Sequence, residues 1–66
     1  MNRNYVINER ERRAITGISR STWHRWEKAG LVPRRIQLGP RRVAWYLADI
    51  NDWLEERARD TDPLTT

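Results

Sequence analysis

Ser21, Arg25 and Lys28 recur at intervals of four and three residues, with His24 beside them and Arg20 just ahead. Residues three or four apart share a side of a helix, so these hydroxyl, imidazole and cationic groups form one helical front. An Arg on such a front can fork two N–H donors onto O6 and N7 of guanine, with about 1–3 kcal/mol of discrimination per good pair. Ser21, Thr22 and His24 offer further hydrogen bonds to base edges, although Ser21 and Thr22 also lie close enough to Ser19 to serve its cap. Arg20 and Lys28 suit phosphates, contacts that fix register without reading sequence. A second cationic group follows in Arg34, Arg35, Arg41 and Arg42. Guanidinium groups there can meet phosphates or enter a narrow minor groove, and Arg41 and Arg42, next to a turn, have the better reach.

Local signals supply the elements that must carry these groups. Ser19 is a helix N-cap and Gly30 a left-handed exit; between them Trp23 and Trp26 share the back of the helix, with Ala29 beyond. Upstream, Asn8 and Glu11 have capping-box spacing with Ile7 in the preceding position, which predicts a first helix from Glu9 to Thr16, closed by Gly17. Its apolar content is Ala14 and Ile15, flanked by Ile7 and Ile18. One of Arg10, Arg12 and Arg13 is expected to lay its aliphatic stem over the core with its guanidinium in water. Helix, tight turn and second helix make a helix-turn-helix.

After the connector Leu31-Val32-Pro33, the run Arg34 to Leu38 alternates with Ile36 and Leu38 on one face. Gly39-Pro40 supplies a turn, and Arg41 to Trp45 returns with Val43 and Trp45 sharing a face. The segment is expected to be a hairpin with one apolar and one largely cationic face, a wing resting on the helices. Leu47, Ile50 and Leu54 then resume helical spacing beside Trp53, giving a last helix from about Leu47 to Ala58 with no evident cap. The predicted architecture is a small α+β winged helix-turn-helix in the order helix, helix, β-hairpin, helix. Residues 1–6 are expected to be a flexible N-terminus, 7–58 the DNA-binding domain, and 59–66 a flexible tail containing Pro63.

Composition narrows the function. A chain of 66 residues buries only about 60% of its unfolded surface, so four tryptophans, each able to bury about 150–250 Å², are its main resource for a core. Without cysteine it has no disulfide or thiolate zinc site, and its single histidine makes no persuasive metal site; no cofactor is expected. No apolar run approaches about 18 residues, and the start lacks the apolar core of a signal peptide, so a cytoplasmic, nucleoid-associated protein with no membrane partner is expected. The net charge of +4 is unevenly placed: residues 1–42 hold eleven Arg or Lys against three Glu, residues 43–66 two Arg against six acids. Such a field attracts a polyanion. The acids of the last helix, Asp49, Asp52, Glu55 and Glu56, have no pocket or activated nucleophile beside them, which argues against an enzyme.

The runs Ile15 to Trp26, Gly30 to Pro33, Leu38 to Trp45 and Ile50 to Leu54 together resemble the AlpA family of phage and prophage regulators, over roughly residues 7–56. The resemblance implies a winged helix-turn-helix shared with MerR-like regulators and small excisionases. It also implies a role as a sequence-specific double-stranded DNA-binding transcriptional regulator, or alternatively as an excisionase-type recombination directionality factor. Its groove-facing block falls on Arg20, Ser21, Thr22 and Arg25, and its wing arginines on Arg41 and Arg42. Departures are Trp23, His24 and Trp26 where Ile, Tyr and Leu are common, Arg12 and Arg13 where apolar residues are usual, and Pro40 for a glycine. Because a module this small covers only about 600–1,000 Å² on DNA, a weak homodimer or cooperative assembly on DNA is expected. The acidic side of the last helix suits an integrase or another recombination protein, and leaves a protein-interaction adaptor as a further alternative.

Overall fold

In the computed structural model, which describes residues 5–60, Asn8 opens the first helix, α1 (Glu9–Thr16), with both halves of a capping box. Its side-chain oxygen accepts from the Glu11 N–H at 2.8 Å, and the Glu11 carboxylate accepts from the Asn8 N–H at 2.9 Å. Gly17, at φ 72°, closes α1 by donating to the Arg13 carbonyl at 2.7 Å. Ser19 then caps α2 (Arg20–Lys28) by accepting from the Thr22 N–H. At the far end Gly30 donates to Glu27 and Leu31 to Trp26 through their backbones. Those two bonds form a Schellman closure, and Gly30 adopts the left-handed φ of 76° that it requires. The expected helix-turn-helix is therefore set by its own stops, although Ala29 is exposed rather than continuing the apolar back of α2.

Three antiparallel strands follow the order β1 (Val6–Ile7), β3 (Arg42–Tyr46), β2 (Ile36–Gly39). The short β1 corrects the expected N-terminal boundary: Val6, assigned to a loose end, pairs with Tyr46, and Ile7 pairs with Trp45. This strand also explains how α3 (Leu47–Asp60) begins without a capping side chain. Leu47 follows β3 directly, and its N–H donates to the Tyr5 carbonyl at 2.9 Å. The helix continues two residues past Ala58, so Arg59 and Asp60, expected in the tail, are helical. Expectations for residues 1–4 and 61–66 lie outside the described residues.

The hairpin turns through Pro40 and Arg41 between Gly39 and Arg42, with Pro40 at the position where a fixed φ near −65° is favoured. Its register corrects the expected single apolar face. Ile36 lies opposite Ala44 and Gln37 opposite Val43, and successive strand side chains point to opposite faces, so Ile36 stands on the face away from Val43 and Trp45. The register then slips between Gln37 and Gly39, and Leu38 is left exposed.

Trp23 is the centre of the core, joined by Ile7, Val32, Trp45 and Ile50. Trp45 and Trp53 meet it in T-shaped pairs at centroid distances of 6.3 and 5.3 Å with nearly perpendicular planes, a favoured aromatic geometry. The indole N–H groups of Trp23 and Trp45 are buried without hydrogen-bond partners, whereas that of Trp53 donates to the Leu31 carbonyl at 3.0 Å and ties α3 to the end of α2.

The inward group of α1 is Arg12. Ala14 and Ile15 are exposed, and Arg12 is 0% exposed. Its guanidinium does not reach water, contrary to the snorkelling arrangement expected. It lies over Trp23 at 4.6 Å and Trp45 at 5.7 Å from the ring centroids, forms a two-point pair with Glu9, and donates to Thr16 Oγ1 at 3.2 Å and to the Ile18 carbonyl at 2.7 Å. A buried charge is tolerated when it is paired and hydrogen-bonded; here the partners come from α1 and the turn, and the aromatic faces from α2 and β3.

Candidate nucleic-acid interface

Two helix stops and the buried indole of Trp23 fix the rotation of α2 about its axis. Arg20, Ser21, His24, Arg25 and Lys28 are all exposed in consequence, while Thr22, Trp26 and Glu27 are half-buried. The Thr22 hydroxyl accepts from Ser19 Oγ at 3.1 Å, so Thr22 serves the cap and stands back from the front. No apolar side chain interrupts the sequence Ser21, Arg25, Lys28 on that front. Such a surface can donate hydrogen bonds to base edges and phosphates alike.

The hairpin borders the same side of the molecule. Arg20 at the start of α2 shares one concave surface with Arg41 and Arg42 of the wing and with Arg10 of α1, with Glu9 and Glu11 along its α1 side. His24 and Lys28 share a second with Arg34, Arg35 and Gln37. A third, between them, is lined by Arg20, His24, Glu27 and Arg35. Thus Arg20 and His24 line the trough between α2 and the wing. Arg20 is shared at one end with Arg41 and Arg42, and His24 at the other with Lys28, Arg34 and Arg35. Arg34 also borders a groove lined by Asp49, Asp52 and Glu56. Ser21 and Arg25 do not line that trough; they occupy the exposed side of α2 next to it.

Glu27 is the residue that sequence reasoning missed at this site. Its carboxylate accepts from the Arg35 N–H at 2.6 Å and lies 3.6 Å from Arg35 Nε, holding α2 to the segment that enters β2. It also draws the Arg35 charge toward the protein, leaving Arg34, Arg41 and Arg42 as the freer wing cations. A signal was present: Glu27 is the single acid between Glu11 and Asp49. Its partner, eight residues away on another element, could not be read from helical spacing. At the tip, the Gln37 side-chain amide donates to the Gly39 carbonyl, bracing the turn from which Arg41 and Arg42 project.

A family model described as Prophage CP4-57 regulatory protein (AlpA) matches residues 5–58. The chain belongs to the AlpA family of prophage regulatory proteins. The match extends from Tyr5, whose carbonyl holds the start of α3, to Ala58, so it takes in every element described above except the last two residues of α3. No curated protein sequence matches the chain. Within this AlpA-family protein, the arginine at a position where the resemblance implied an apolar residue is Arg12, and the bulky residue on α2 is Trp23; the two stack on each other. Among the described residues, no helix is long and apolar enough to cross a membrane.

Proposed function

We propose that this AlpA-family protein is a sequence-specific double-stranded DNA-binding transcriptional regulator, in which α2 reads the major groove and the wing holds the neighbouring backbone. The observation that carries this reading is the shared concave surface of Arg20, Arg41 and Arg42, beside the exposed front of Ser21, His24, Arg25 and Lys28. One duplex can then meet both elements. Arg25 and Ser21 take base edges, and Arg20, Lys28, Arg34, Arg41 and Arg42 take phosphates. Use of the same surface next to a recombination junction would make the protein an excision factor, and the genomic position of its sites separates the two roles.

Partner contacts belong to a different surface. Asp49, Asp52 and Glu56 line a groove with Trp53 and the exposed Leu31, which meets the DNA-facing surface at Arg34. Its apolar floor and mainly acidic rim suit a second copy on DNA or an integrase.

The phosphate assignment is tested by substituting Arg41 and Arg42 together with Ala. Each neutralised phosphate contributes about 0.9 to the slope of log affinity against log salt, so the double variant should lower the magnitude of that slope by about 1.8 and weaken binding to all duplexes alike. An unchanged slope contradicts the assignment. Failure of the unaltered protein to bind any duplex at low salt contradicts the function itself.

A further inference from the structure

We infer that Leu38 is a wedge that enters the minor groove between adjacent base pairs and kinks the duplex. The inference rests on the proposed duplex-binding function and adds a means of deforming the DNA to it. Leu38 is 55% exposed and sits where β2 slips register against β3 between Gln37 and Gly39, so it has no residue opposite it. A bulge of this kind re-aims a side chain, and the pairing resumes beyond it at Gly39 and Arg42. The tip around it is also braced, by the Gln37 amide on the Gly39 carbonyl and by the fixed φ of Pro40. An apolar side chain is thus held out from the hairpin on a stiff support.

Its surroundings identify the partner. Leu31, the other strongly exposed leucine among the described residues, lies with three acids, Asp49, Asp52 and Glu56, and one arginine, Arg34, a predominantly acidic setting that suits a protein surface. Leu38 shares its concave surface with four arginines, Arg10, Arg20, Arg41 and Arg42, against two acids, Glu9 and Glu11, the first of which is already paired with Arg12. A molecule that covers Leu38 must therefore offer an apolar face and anions together. Stacked base pairs between two phosphate strands do so, and apolar wedges flanked by cations are used to unstack base steps with kinks of roughly 20–90°. Pyrimidine–purine steps open most readily, so Leu38 adds a preference for a TA or CA step beside the bases read by α2.

The test uses a duplex recovered by selecting bound genomic fragments, carrying a fluorophore pair at its ends and 2-aminopurine placed in turn at each step beside the α2 site. The unaltered protein should raise 2-aminopurine emission at one step and shorten the end-to-end distance. Leu38→Ala should abolish both changes while its melting temperature and salt slope stay the same, because no core contact or cation is removed. Its affinity should fall by no more than about tenfold, since backbone contacts persist. Binding by the unaltered protein with every step still stacked, or a kink retained by Leu38→Ala, overturns the wedge and leaves the duplex-binding function standing. Absence of binding to any duplex at low salt overturns both.

Discussion

Arg12→Ala is expected to destabilise the protein by about 3–5 kcal/mol, the cost of breaking a buried ion pair by removing one partner. The substitution strands the Ile18 carbonyl, empties the space over Trp23 and Trp45, and leaves Glu9 without its cation. For a domain of this length total stability is itself on the order of 3–10 kcal/mol, so much of the chain should be unfolded at room temperature. Arg12→Met separates charge from volume. It refills the space between the indoles; Glu9 still loses its cation, but its carboxylate is 29% exposed and can be hydrated, and the Ile18 carbonyl loses a bond worth about 1–3 kcal/mol. Urea denaturation should therefore place Arg12→Met within about 3 kcal/mol of the unaltered protein, and Arg12→Ala below it. Equal stability of Arg12→Ala and the unaltered protein would contradict the role given to this side chain.

The second large effect is on recognition. Arg25→Ala should weaken binding to the selected duplex by about 1–3 kcal/mol, or roughly 5- to 150-fold, and relax the preference for guanine at one position. Arg25 is exposed on α2 with its side chain outside the core, and surface substitutions of that kind usually change stability by less than about 0.5 kcal/mol. Competition between the selected duplex and mixed duplex measures the first quantity and thermal melting the second. An unchanged preference in a folded Arg25→Ala variant, or a loss of affinity matched by a loss of stability, would remove Arg25 from the reading surface.

What the amino-acid order disclosed about this fold was local. Asn8 with Glu11, Gly17, Ser19, Gly30 and Gly39-Pro40 each act within a few residues, and each one starts, ends or turns the element it was expected to. The three features that escaped depend on distant partners. Val6 and Ile7 are too few to show an alternating pattern, and they are a strand because β3 lies beside them. Arg12 reads as a solvent residue by type, yet it shares a helical face with Glu9 and Thr16 and meets two indoles contributed by later elements. The alternation of Ile36 and Leu38 suggested that both join Val43 and Trp45, but alternation alone does not fix register; Gly39 inside the strand was the available sign of a bulge.

The candidate site was more legible than the packing behind it. Periodicity and two tryptophans are enough to say which side of α2 is outward, and Arg20, Ser21, His24, Arg25 and Lys28 are exposed as that periodicity requires. Thr22 shows the limit, since its hydroxyl is engaged by Ser19. The spatial relation between α2 and the wing was beyond the sequence because it is held by Glu27 on Arg35 and by Arg12 between Trp23 and Trp45, contacts between elements with no periodic signature.

Chemical footprinting of one selected duplex at saturating protein tests most directly whether α2 and the wing act on the same DNA. Protection of guanine N7 from methylation should mark the major groove under α2, and protection of neighbouring sugars from hydroxyl radicals should mark the wing. Arg25→Ala should reopen the guanines alone, and the Arg41→Ala, Arg42→Ala double variant the sugars alone. Guanines that stay open under the unaltered protein, or two variants that reopen the same positions, would contradict the account.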